Sequence, residues 1–142
     1  MSSNPVLRHM PVPLLDRHSW KVRKEHSPAG VRVFFNIMEE WNVGPEDAPL
    51  LLGVSSRYYN QLKARQEGQI LNTDRLYRMS YLVGIYKALR LLHGPTLENR
   101  FVYMSNTNRL FAGKTPLSYM IQGGQPAMQR VRRLLDARAA GN

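Results

Sequence analysis

Apolar residues recur every three or four positions through most of the chain after residue 27, which is the spacing of amphipathic helices. The first such segment begins at Ser27-Pro28, a pair suited to an N-cap and a first helical position. Its apolar positions are Val31, Phe34, Phe35, Met38 and Trp41. No segment alternates in the way that a strand requires, so the pattern predicts an all-α fold.

Glycines and prolines divide the rest of the chain into further helices. Gly44-Pro45 precedes a short helix that contains Ala48, Leu51 and Leu52. Gly53 then forms a turn, and the next helix, "SRYYNQLKARQ", is capped by Ser55 or Ser56. Gly94-Pro95 ends a long helix that begins near Thr73. A two-turn helix then closes at Gly123-Gly124, and the last helix begins near Pro126.

The long helix, residues 73–93, is apolar over an unusually wide arc, and Gly84 lies in its middle. Such an arc is typical of a helix that is central to a core or shared with a second subunit. A glycine there costs about 1 kcal/mol relative to alanine. We therefore expect a neighbouring helix to approach closely at Gly84, and we assign this helix to dimerisation.

The triplet Gly113-Lys114-Thr115 resembles the end of a phosphate-binding loop, but the surrounding sequence argues against one. That loop needs a glycine five residues before its Gly-Lys pair, and Asn108 stands there. Thr115 followed by Pro116 instead predicts a helix N-cap and a first helical residue. The four histidines form no catalytic or metal-binding group, because three lie before residue 27 and the fourth is isolated. We expect neither an enzyme nor a bound cofactor or metal.

The net charge favours a polyanionic partner. The chain has 20 lysines and arginines but only 10 acidic residues, which gives a net charge of +10. Residues 1–27 form a basic, proline-containing arm. Its Arg17, Lys21, Arg23 and Lys24 either contact a DNA backbone or belong to a solvated tail. The chain lacks cysteine, an apolar stretch of membrane-spanning length and a signal-peptide pattern, so we expect a cytoplasmic protein.

Residues 48–64 have the pattern of a helix-turn-helix, with Gly53 at the turn and Tyr59 and Leu62 on the buried side of the second helix. The exposed side carries donors suited to base edges and phosphates. These predicted DNA-binding residues are Ser56, Arg57, Asn60, Gln61 and Lys63. Pro49 fits only if the first helix begins at Asp47. The alternative is a helical hairpin with a solvated polar face.

Three segments together resemble the Xre/MbcA/ParS-type antitoxins of type II toxin–antitoxin systems. They are "LLGVSSRYYNQLKA" (51–64), "DRLYRMSYLVGIYKALRLL" (74–92) and "NRLFAGKTPLSYMIQGGQPAMQRVRRLLDARAAG" (108–141). The third is the most specific, because its Pro-Leu, Gly-Gly and Val-Arg-Arg-x-Leu-Asp-Ala-Arg elements follow the order and spacing of the family's toxin-binding module. The resemblance covers roughly residues 30–141.

The resemblance implies an Xre-like helix-turn-helix and dimerisation unit at 28–93 and a toxin-binding module at 94–142. The partners that it implies are the operator of its own operon, which the homodimer represses, and a cognate RES-domain toxin that consumes NAD. The resemblance also implies that this protein inhibits the toxin by occluding its active site. The candidate toxin-binding residues are Arg132, Arg133, Asp136, Arg138 and Asn142. The alternative is a stand-alone helix-turn-helix transcription regulator without a toxin, in which these arginines lie on a solvated helix face.

Overall fold

The structure, a computed structural model, describes residues 20–65, 71–104 and 108–141. Its helices are α1 (Trp20–Glu40), α2 (Ala48–Leu52), α3 (Ser56–Ala64), α4 (Thr73–Tyr103) and α5 (Pro116–Ala139), with a 3₁₀ helix at Arg109–Phe111. The described residues contain no strand, so the predicted all-α fold is confirmed.

Helix α4 is the centre of the fold. It packs against α1 on one side and, more extensively, against α5 on the other. Its Leu82, Ile85 and Leu89 are fully buried, and so are Phe34 of α1 and Leu135 of α5. These side chains belong to one hydrophobic cluster that runs from Val31 to Leu135. The wide apolar arc of α4 is therefore explained by helices of the same chain that cover it on two sides.

The prediction that a helix begins at Ser27 was wrong, because α1 already includes Trp20 and continues through Pro28. Ser27 does not cap the helix. Its side chain is fully buried, and its hydroxyl oxygen accepts a hydrogen bond of 2.9 Å from the backbone N–H of Leu71. Pro28 removes one backbone hydrogen bond from the helix. The serine thus ties α1 to the segment before α4, a tertiary role that the local pattern did not reveal.

Two glycines break the long helices where the sequence predicts. Gly94 interrupts α4 with φ +69° and ψ −177°, and Gly124 interrupts α5 with φ +65° and ψ −147°. Only glycine adopts such combinations readily. The capping interpretation of the Gly-Lys-Thr triplet is also confirmed, because the Thr115 hydroxyl accepts a hydrogen bond of 3.1 Å from the N–H of Ser118 and Pro116 is the first helical residue.

Candidate functional site

Helix α2 begins where Pro49 can be accommodated. Asp47 is its N-cap residue, and Pro49 is the second residue of the helix. A backbone N–H at that position has no partner within the helix, so its absence costs little. The helix therefore begins with Asp47 as its N-cap, which is what Pro49 requires to fit a helix-turn-helix.

The turn after α2 is fixed by backbone hydrogen bonds. Gly53 adopts φ +75°, and its N–H donates to the carbonyl of Leu50. The N–H of Val54 donates to the carbonyl of Pro49, which completes a Schellman motif. Ser55 then caps α3, because its hydroxyl accepts a hydrogen bond of 3.1 Å from the N–H of Tyr58. The end of α2 and the start of α3 are therefore both capped, and α3 follows directly after a sharp turn of defined geometry.

One side of α3 is anchored in the core through Tyr59 and Leu62, which are 6% and 1% exposed. The Tyr59 ring lies with its centroid 5.2 Å from that of Phe35 and 6.3 Å from that of Phe34, both on α1. Burial raises the pKa of the Tyr59 hydroxyl above its ordinary value. The buried side of α3 is the side that the sequence predicts.

The opposite side of α3 is exposed over all five predicted positions: Ser56, Arg57, Asn60, Gln61 and Lys63. Among the described residues, no carboxylate forms an ion pair with Arg57 or Lys63. The structure therefore brings two cations, two amides and a hydroxyl onto one helix surface, which we call the α3 surface. Its exposure is confirmed, whereas DNA binding by these residues stays a prediction.

Arg78 of α4 holds the turn against the rest of the protein, a role that sequence reasoning missed. Its Nε lies 2.9 Å from a carboxylate oxygen of Asp74, and one guanidinium nitrogen donates a hydrogen bond of 3.2 Å to the carbonyl of Leu51 in α2. The second oxygen of Asp74 accepts a hydrogen bond of 2.8 Å from the side chain of Gln125 in α5. The pair Arg78–Asp74 thus joins α2, α4 and α5.

We expect Gly53→Ala to destabilise the protein by about 1–3 kcal/mol, because alanine is strained at this positive φ. Its Cβ would also lie 2.8 Å from the guanidinium carbon of Arg78, which Asp74 and Leu51 hold in place. Gly44→Ala is the matched control, since an added Cβ there has nothing within 4 Å. Urea unfolding of both variants checks this, and equal stability of the two would contradict it.

The predicted toxin-binding residues lie on the last part of α5 and differ in their surroundings. Arg133 and Asp136 are exposed, Arg138 is half-buried, and Asn142 lies outside the described residues. Nε of Arg132 lies 3.5 Å from a carboxylate oxygen of Asp136, one helical turn away. A Cβ added at Gly84 would be only 2.5 Å from that Nε. The close approach expected at Gly84 is thus confirmed, and it is made by α5.

Between α4 and α5 lies a groove of about 250 Å³, which we call the α4–α5 groove. Its lining residues are Gly84, Lys87, Ala88, Leu91, Arg132, Asp136 and Ala139. Leu91 is 81% exposed, the most exposed large apolar side chain of the described residues. Sequence reasoning missed it, because Leu91 adjoins buried leucines within one apolar run.

Within the described ranges, no three histidine, aspartate or glutamate side chains come together as a possible metal site. None of the helices in those ranges is long and apolar enough to cross a membrane. The observed features define an all-α protein with two exposed polar surfaces, one on α3 and one beside the α4–α5 groove.

The chain is 35% identical over 115 residues to the uncharacterized protein y4oB of Sinorhizobium fredii (strain NBRC 101917 / NGR234). The match covers 80% of this chain and 87% of that protein. The chain belongs to the family of y4oB. No protein-family model matches the sequence, and no solved structure matches it.

Proposed function

We propose that this protein is a type II antitoxin that neutralises a RES-domain, NAD-degrading toxin and represses its own operon. The observation that carries the proposal is the resemblance of residues 108–141 to the toxin-binding module of Xre/MbcA/ParS-type antitoxins. The arrangement of α2, its turn and α3 supports the DNA-binding half, because an anchored helix presents polar side chains that pair with no carboxylate among the described residues.

In the DNA-binding half, α3 enters the major groove with its exposed side toward the bases. Arg57 donates to guanine, and Asn60 or Gln61 pairs with adenine, since these side chains match the donor and acceptor patterns of those bases. Ser56 and Lys63 contact phosphates, which position the helix without reading sequence. A homodimer supplies two copies of α3, so the operator has two related half-sites.

In the toxin-binding half, the end of α5 covers the active-site cleft of the toxin. Arg132 is engaged with Asp136 and shapes the α4–α5 groove, whereas Arg133 is exposed and Arg138 half-exposed. A cleft that binds an anionic dinucleotide accommodates guanidinium groups, which also pair with carboxylates there. Leu91 supplies an apolar anchor beside these charges, and Asn142 follows at the end of the chain.

The DNA-binding half is tested by fluorescence anisotropy with a duplex taken from immediately upstream of this gene and a scrambled duplex of equal length. The proposal requires tighter binding to the upstream duplex at every salt concentration. Equal affinity for the two would mean that α3 reads no sequence and would remove autoregulation from the account.

A further inference from the structure

Arg75 lies in the first turn of α4 but is placed beside α3. Its guanidinium carbon stands 4.4 Å from the centroid of the Tyr58 ring. Tyr58 is half-buried and lies at the boundary between the exposed side of α3 and the buried side that Tyr59 and Leu62 form. A cation over an aromatic face is attracted by the electrons of the ring, so this long side chain is held in a defined position next to the α3 surface.

Arg75 has no ion-pair partner among the described residues. The adjacent carboxylate, Asp74, is engaged by Arg78 at 2.9 Å and by the side chain of Gln125 at 2.8 Å. In the parts of the chain that the structure describes, no other carboxylate pairs with Arg75. Within the described residues, the donors of the guanidinium are therefore open to a partner outside the protein.

We infer that Arg75 contacts a backbone phosphate when α3 occupies the major groove of DNA. The inference rests on the DNA-binding half of the proposed function. The centre of the α3 surface, with Arg57 and Asn60, faces the bases, whereas the edge that carries Tyr58 faces a phosphate backbone. A guanidinium is well suited to a phosphate, because its planar donors can bind two oxygens at once. Tyr58 acts as a positioning residue for this contact.

The test measures binding of wild type and Arg75→Ala to the upstream and scrambled duplexes over a series of salt concentrations. Loss of one phosphate contact lowers the slope of log affinity against log salt by about 0.9 and weakens binding to both duplexes alike. Arg75→Lys keeps the charge and is expected to keep most of the slope. Arg109→Ala, which removes an exposed arginine of the 3₁₀ helix, is the control for net charge.

An Arg75→Ala slope equal to that of Arg109→Ala overturns the inference. A loss confined to the upstream duplex also overturns it, because the side chain would then read a base. Wild-type protein that binds neither duplex defeats the DNA-binding proposal itself, and this outcome is distinct from both. Thermal melting of each variant establishes that the compared proteins are folded.

Discussion

Replacing Arg57 and Asn60 together by alanine is expected to weaken binding to the upstream duplex by at least about 30-fold, since each good base contact contributes about 1–3 kcal/mol of discrimination. Both side chains are exposed, and α3 is held by Tyr59 and Leu62 on its other side. The fold and the binding of a toxin should therefore be unchanged. Anisotropy with the upstream and scrambled duplexes measures DNA binding, a thermal melt measures the stability of the fold, and growth of cells that express the toxin reports its neutralisation.

The matched control is Asn36→Ala combined with Arg109→Ala, which removes the same two kinds of side chain from exposed positions on α1 and the 3₁₀ helix. This control should bind DNA nearly as wild type does. If both double variants lose affinity equally, net charge explains the loss. If the Arg57/Asn60 variant also melts at a lower temperature, the variant reports on folding, and the assignment of these residues to base contacts is not supported.

Truncation after Leu135 is expected to abolish neutralisation of the toxin while leaving DNA binding intact. The cut removes Asp136, Arg138 and Asn142, three of the five proposed toxin-binding residues. It keeps Leu135, whose side chain is fully buried in the core. Growth of cells that express the toxin with either form of the antitoxin, and anisotropy with the upstream duplex, give the two readouts.

The position of the cut matters because α5 is both a core helix and the proposed inhibitory element. A cut after Arg130 would also remove Val131 and Leu135, both with no exposed area. Loss of a large buried side chain costs about 2–5 kcal/mol, so that shorter form should fail in both assays. A protein cut after Leu135 that still neutralises the toxin would contradict occlusion by the end of the chain.

The sequence predicted the breaks in this fold better than its long-range contacts. Gly53, Gly94 and Gly124 all adopt positive φ, and each was assigned to a turn or a helix end because glycine tolerates that conformation. The buried side of α3 was predicted because helical spacing alone separates Tyr59 and Leu62 from their exposed neighbours. Such features depend on a few adjacent residues, and local chemistry determines them.

What sequence reasoning missed depends on residues that are distant in the chain. Ser27 looked like an N-cap, but its partner is the N–H of Leu71, 44 positions away. Nothing in the sequence distinguishes Arg78 and Arg75 from the other arginines. Only the fold places Arg78 against the carbonyl of Leu51 and Arg75 over the ring of Tyr58. Helical periodicity predicts which side of its own helix a side chain occupies, but it does not predict which other helix or loop that side chain contacts.

The central claim is that this protein neutralises an NAD-degrading toxin, and the most direct test uses the open reading frame adjacent to its gene. That neighbour is induced in cells with and without this protein, and intracellular NAD and growth are followed together. If the proposal holds, NAD collapses when the neighbour is expressed alone, and this protein prevents the collapse. Constant NAD in both cultures, or a collapse that this protein does not prevent, would contradict it and favour a stand-alone regulator.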